Sequence, residues 1–150
     1  MKKSPATLLL LLAMIGFGMG LGSCSAKYKP LLSSQQGINF KVITFAQARQ
    51  MAKDEKKALF IFEHASWCPT CKKMEQEVLI QKELGDVYNR DLINVAIDVD
   101  SPEGHRLRMQ YPVRATPTIL FFKPDGTLVG KLEGFTNASD LLAEASQLKN

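Results

Sequence analysis

Six consecutive residues, Trp67-Cys68-Pro69-Thr70-Cys71-Lys72, carry two thiols three positions apart. On a helix, residues three apart share a face, so the two sulfurs come within reach of a disulfide bond. Pro69 suits a first helical turn, where its missing N–H costs nothing. The Cys68 sulfur would then meet free backbone N–H groups at the positive end of the helix dipole, which favours its thiolate. Lys72, four residues beyond Cys68, adds positive charge on the same side. The chemistry that fits is reversible thiol–disulfide exchange.

Two other uses of the pair compete with exchange. As a structural staple, a four-residue ring stabilises by only ~2 kcal/mol, against ~3 to 5 for longer loops. As a metal site, Cys68 and Cys71 with His64 and His105 reach the four ligands of a closed zinc centre. His105 belongs to a different element, however, and there is no second close cysteine pair. Dithiol exchange leads, and it needs no cofactor and no metal beyond the Cys68–Cys71 redox couple itself.

The elements that must position the thiols follow from periodicity. Ile38 to Ile43 reads as a short strand, and Thr44 as the cap of a helix with Phe45, Ala48, Met51 and Ala52 at helical spacing. Lys53 to Lys57 is a charged turn. Ala58 to Phe62 is a continuous apolar run, as in a strand buried on both faces. A helix starts at Cys68-Pro69 and passes Met74, with a second helix over Gln81 to Asn89. Leu92 to Val99 is the next buried strand, and Glu103 to Gln110 the next helix. Ile119 to Phe122 and Leu128 to Lys131 flank the hairpin turn Lys123-Pro124-Asp125-Gly126. Ser139 reads as the cap of a last helix, with Leu141, Leu142, Ala145 and Leu148 on one face. The expected order is βαβαβαββα, an α/β fold with a central mixed sheet flanked by helices.

Composition agrees with one folded domain. Hydrophobic residues make up 45% of the 150 and charged residues 23%, which excludes disordered and collagen-like chains. Lys and Arg outnumber Asp and Glu by 19 to 15, but without Lys2 and Lys3 only by 17 to 15. Lysines and glutamates are interspersed, without the basic stripe of a nucleic-acid protein. Nothing in the chain calls for more than a monomer.

Residues 1–23 read as an address. Met1-Lys2-Lys3 is followed by an apolar run from Leu8 to Ile15 and then by Gly16, Gly18, Gly20 and Gly22. The stretch is about 15 residues, short of the ~20 that a spanning helix needs, and its order is that of a secretory signal. Leu21-Gly22-Ser23-Cys24 resembles the lipobox of bacterial lipoproteins. That resemblance implies cleavage before Cys24 and acylation of its thiol, and several acyl chains anchor durably. A plain signal peptide cut near Ser25-Ala26, or an uncleaved anchor, is the alternative. Ser25 after the cysteine favours the outer membrane in a Gram-negative cell. Residues 24–36 then form a polar tether, up to roughly 40 Å long at ~3.3 Å per residue, and residues 37–150 form the domain.

With these residues in view, the chain resembles the thioredoxin family. The resemblance rests on Trp67-Cys68-x-x-Cys71-Lys72, the apolar strand before it, and Ala115-Thr116-Pro117-Thr118 after it, with Asp98 and the Pro-Asp-Gly hairpin. FAQARQMAKDEKKALFIF followed by ASWCPTCKKME is similar to proteins related to the periplasmic C-terminal domain of the transmembrane electron-transporting thiol reductase. The resemblance implies that Cys68 is the exposed nucleophile that forms a mixed disulfide, and that Cys71 is the more buried thiol that resolves it. It implies that Trp67 shields the pair, that Pro69 and Thr70 shape the site, that Pro117 is a cis-proline, and that Thr116 offers backbone hydrogen bonds to a substrate segment.

One departure matters. Family members usually carry a buried aspartate six residues before the first cysteine, where this chain has Phe62. Strand alternation sends Glu63 to the opposite face. Glu75, one helical turn after Cys71, is nearer but reads as solvated, and His64 reads as a solvent-facing loop residue able to tune the thiolate, as Lys72 is. The resulting reading is a lipid-anchored, extracytoplasmic oxidoreductase that reduces disulfide-containing proteins with electrons from a membrane donor of the thiol-reductase type. The alternatives are a noncatalytic binding or chaperone module that uses the Pro117 groove, and a metal carrier.

Overall fold

The computed structural model describes residues 36–148. The expected leader, the acylation site Cys24 and the tether up to Gln35 lie outside the described residues. Among the described residues, no helix is long and apolar enough to cross a membrane.

Helix α1 (Phe45–Glu55) starts where the sequence places it. Thr44 accepts from the Gln47 N–H, and the Gln47 side chain accepts from the Thr44 N–H, a reciprocal capping box. The helix ends at Lys56, whose backbone is left-handed (φ 53°), so the charged turn begins three residues later than expected. Strand β1 (Ala58–His64) is buried along its whole length. Helices α2 (Pro69–Glu77) and α3 (Lys82–Asp91) carry the chain over to strand β2 (Leu92–Asp98). Helix α4 (Pro102–Gln110) follows, with the Ser101 hydroxyl accepting from the Gly104 N–H. Strands β3 (Thr118–Phe122) and β4 (Leu128–Glu133) form the hairpin, and α5 (Ala138–Gln147) closes the domain.

The sheet order is β2-β1-β3-β4, with β1 parallel to β2 and antiparallel to β3, and β3 antiparallel to β4. A parallel pair needs a long crossover, and α2 with α3 supplies it. Alternation along the strands then builds two cores. Phe60, Phe62, Ile119 and Phe121 pack on one face with Met74, Leu84, Tyr88 and Leu141 from α2, α3 and α5. Leu59, Ile61, Leu120 and Phe122 pack on the other with Phe45, Ala48 and Leu107 from α1 and α4. Both cysteines belong to the first core.

Two local expectations are corrected. Residues 38–43 do not form a strand, and only the bridge between Lys41 and Val95 joins them to β2. Ile38 donates its N–H to the Leu79 carbonyl instead, and Phe40 packs on Phe60 and Phe62, so this backbone bond and the ring contacts, not a ladder, anchor the segment. The expected five strands are therefore four. Asn137, not Ser139, caps α5: its side-chain oxygen accepts from the Asp140 N–H at 2.9 Å, and Ser139 only donates its hydroxyl to that same oxygen. Tyr88 ties α3 to α5 by donating its hydroxyl to the Leu141 carbonyl at 2.8 Å.

Candidate active site

Cys68 is the N-cap of α2, and Pro69 occupies the first helical turn. The Cys71 N–H donates to the Cys68 sulfur at 3.1 Å, so one of the unpaired N–H groups of the helix's first turn ends on the sulfur. Cys68 and Cys71 are disulfide-bonded, with their Cα atoms 5.3 Å apart. The expected exposed nucleophile is nearly covered in this oxidised state: Cys68 is 3% exposed and Cys71 fully buried. Both sulfurs face the first core, which draws them under the surface, while Pro69 and Thr70 remain exposed beside them.

The Thr116–Pro117 peptide is cis, and the Thr116 carbonyl oxygen lies 3.5 Å from the Cys68 sulfur. The Pro117 carbonyl accepts from the Gly134 N–H at 2.8 Å. The Glu133 carboxylate accepts from the Arg114 N–H, and Lys131 donates to the Pro112 carbonyl. Strand β4 thus holds the loop that carries Thr116 and Pro117 against the dithiol.

Trp67 is 63% exposed beside Cys68, and its indole N–H donates to Asp100 at 2.6 Å. Asp100 was not legible as a partner, because it follows β2, more than thirty residues along the chain. Phe135, also exposed, follows Gly134, and the Lys73 ammonium sits 5.0 Å from its ring centroid. No spacing rule pointed to this pair. A concavity of about 400 Å³ lined by Val42, Ile43, Ile97 and Asp98 includes none of the dithiol residues.

The acids and the histidine need a fuller account. Phe62 packs in the same core as the cysteines, and Glu63 points to the opposite face, as alternation requires. There Glu63 is fully buried, with its carboxylate 3.9 Å from the Arg108 Nε and no hydrogen bond to either oxygen. Burial pushes its pKa up to about 7, against the opposing pull of Arg108 and Lys131.

His64 is not a solvent-facing loop residue. β1 runs two residues further than expected, pairing His64 with Asp98 of β2, and alternation carries the ring to the Phe62 face. It is buried there, stacked on Phe62 with centroids 5.6 Å apart and planes 5° from parallel. Glu75 is not solvated either. Its side chain is 15% exposed and comes within 3.7 Å of the His64 Nδ1. Burial raises the Glu75 pKa, partly countered by Lys72, and lowers that of His64, partly countered by Asp98.

Lys72 is exposed on α2, and His105 is exposed on α4, across the sheet from the cysteines. Among the described residues, no three His, Cys, Asp or Glu side chains gather as a metal site.

A cysteine pair capping a helix at the end of a buried central strand, on a four-stranded mixed sheet, defines a thiol–disulfide oxidoreductase fold. The chain belongs to the thioredoxin-like domain family, whose model matches residues 45–149. The thiol:disulfide interchange protein DsbD of Photorhabdus laumondii is 30% identical to it over 114 residues, which is 71% of this chain and 19% of that relative. The chain spans only 19% to 26% of the first relatives it matches. A Bacteroides thetaiotaomicron protein provisionally described as a disulphide isomerase superposes with a TM-score of 0.66 at 33% identity, covering 77% of this chain and 95% of its own. The reduced C-terminal domain of Neisseria meningitidis DsbD has a TM-score of 0.57 at 24% identity, over 68% of this chain and 91% of its own. At that identity the likeness speaks for the fold.

Proposed function

We propose that this protein is a lipid-anchored, extracytoplasmic thiol–disulfide oxidoreductase that reduces protein disulfides. The Cys68 thiolate attacks a substrate disulfide and forms a mixed disulfide. Cys71 then attacks the Cys68 sulfur, closing the Cys68–Cys71 bond and releasing the reduced substrate. Two electrons pass from the protein dithiol to the substrate, and a membrane dithiol donor restores them.

The observation that carries this reading is the Cys68 sulfur at the N-cap of α2, 3.1 Å from the Cys71 nitrogen and 3.5 Å from the Thr116 carbonyl. A backbone N–H and the helix dipole both favour the thiolate. Trp67, Pro69, Thr70, Thr116 and Pro117 form the surface on which an extended substrate segment lies, with the Thr116 backbone as its hydrogen-bonding partner. Lys72 adds positive charge beside Cys68, and His64 and Glu75 tune the pair from beneath. The reductive direction rests on the similarity to DsbD proteins, and the anchor rests on Cys24 and the leader before it.

Equilibration of the purified chain with glutathione tests the direction. A reduction potential near −270 mV, in the range of thioredoxin, is expected, and one near −120 mV would make the protein an oxidant. A Cys68→Ser, Cys71→Ser double variant is expected to lose all reductase activity. Retained partner affinity without any redox cycling in the parent would favour a binding module. Cys24→Ser is expected to move the protein from the membrane fraction to the soluble one.

A further inference from the structure

We propose that Glu63 is a positioning residue for the substrate: its buried carboxylate, acting on Arg108 and Lys131, sets residues 111–117, the loop that presents Thr116 and Pro117 beside Cys68. The inference rests on the thiol–disulfide reading above and names the group that prepares its peptide-binding surface. No step of thiol exchange uses Glu63, which lies on the sheet face opposite the cysteines.

A carboxyl group with both oxygens buried and unpaired is costly and rare, and the two ends of the loop meet at this one. At the start of the loop, Arg108 in the last turn of α4 brings its Nε to 3.9 Å from the carboxylate. That Nε is also buried without a hydrogen bond. Among the described residues, Glu63 is the only acid paired with Arg108. At the end of the loop, Thr118 of β3 pairs with Glu63 of β1, so their side chains are neighbours on one face. The Thr118 hydroxyl donates to the Ala115 carbonyl at 2.7 Å, inside the loop. Lys131 of β4 pairs with Leu120, two residues on from Thr118, and so shares that face. Its ammonium attracts the Glu63 carboxylate and donates to the Pro112 carbonyl at 3.2 Å.

Two cations on the flanks of the loop thus face one buried anion. Away from water their attraction is strong even without a hydrogen bond to the carboxylate. The ionised carboxylate draws the end of α4 and the Lys131 ammonium inward, and residues 111–117 with them. Protonation, or an amide in its place, removes that pull. The loop then keeps its hydrogen bonds to Thr118, Lys131 and Glu133 but loses the force that fixes its α4 end. Burial places the Glu63 pKa at about 7, so the pull sets in near neutral pH. The other groups around it hold their charge there. Arg108 stays protonated. Hydrogen bonds from Lys131 and the Arg114 N–H keep the Glu133 pKa below its ordinary value. From β2, the residue opposite Glu63 is the uncharged Ile97.

The test uses the full reduced chain in single turnover against two uncharged disulfides. One is bis(2-hydroxyethyl) disulfide, which has no peptide backbone, and the other is a short peptide closed by one disulfide. Acid quenching and mass spectrometry give a second-order rate constant for each from about pH 5.5 to 8.5, a range that brackets the Glu63 pKa. The ratio of peptide to small-disulfide constants cancels the ionisation of Cys68, which both reactions need. In the parent this ratio is expected to rise about tenfold with increasing pH. In Glu63→Gln it should stay at the parent's low-pH value throughout, with the small-disulfide constant within about twofold of the parent's. Arg108→Gln should lower the ratio too, and adding Glu63→Gln to it should lower it little further. A ratio that is flat with pH in the parent, or that rises alike in Glu63→Gln, would overturn the proposal. So would an equal slowing toward both disulfides together with lowered thermal melting, which marks a structural role. If the parent reduces neither disulfide, the oxidoreductase reading fails as well, and that outcome is distinct from the other two.

Discussion

Replacing Glu63 by glutamine removes a carboxyl group from a place that water does not reach. Both carboxylate oxygens are buried without a hydrogen bond, and the Arg108 guanidinium, at 3.9 Å, only partly offsets the loss of hydration. The folded-state pKa of about 7 stands against an ordinary value of 4.5. At about 1.4 kcal/mol per pH unit, that difference caps the cost of the ionised group at about 3 kcal/mol. The sign follows from proton linkage. Below pH 4.5 the group is protonated in both states and contributes no difference. From there to about 7 the unfolded chain gives up the proton while the folded protein keeps it, so the wild type loses stability as pH rises. Above about 7 the penalty is complete and constant.

The introduced glutamine does not titrate, so the stability of Glu63→Gln minus that of the wild type should grow by about 1 to 3 kcal/mol across this window. Urea unfolding at several pH values, followed by far-UV circular dichroism, reads this growth as a relative midpoint shift on the order of 1 M for a slope of about 1 to 3 kcal/mol/M. The lost partner of Arg108 shifts the absolute difference at every pH and leaves its pH dependence intact. A difference that stays flat from acid to alkaline pH would refute the reasoning. One that falls with pH would mean that the Glu63–Arg108 attraction outweighs desolvation.

Other outcomes follow from single contacts. Cys71→Ser should trap the mixed disulfide with a disulfide-containing peptide, visible on a non-reducing gel, because Cys68 keeps its place at the head of α2. Tyr88→Phe leaves the ring against Phe60 but removes the buried hydrogen bond to the Leu141 carbonyl, at a cost of about 1 to 2 kcal/mol in urea unfolding. Asn137→Ala should cost about 1 kcal/mol by the same measurement, whereas Ser139→Ala should cost clearly less, because only Asn137 satisfies a free helix N–H.

The sequence carries most of what lies along one element. The Cys68-Pro69 helix start, the apolar strand before it, the cap at Thr44 and the hairpin around Gly126 each depend on residues a few positions apart. Turn chemistry and side-chain period act at that range, so the local reading and the structure coincide. The Glu63 orientation was legible for the same reason, since strand alternation is a local rule.

The larger corrections involve residues whose fate depends on distant segments. Ile38 to Phe40 has the composition of a strand, but Leu79 and the rings of Phe60 and Phe62 take its backbone and side chains away from β2. Ser139 and Asn137 are both good caps by type, and the helix starts at Ala138, which puts Asn137 at the cap. His64 and Glu75 look solvated when each is read with its neighbours, because polarity in a sequence says nothing about what will cover it. Two registers had to coincide before they came together, His64 buried and Glu75 largely covered: β1 against β2, and α2 against the sheet. By itself, then, the sequence determined that a dithiol would stand at the head of a helix after a buried strand. Packing among elements far apart in the chain decided which ionisable groups share its low-dielectric surroundings, because burial is a property of the assembled fold and not of any one segment.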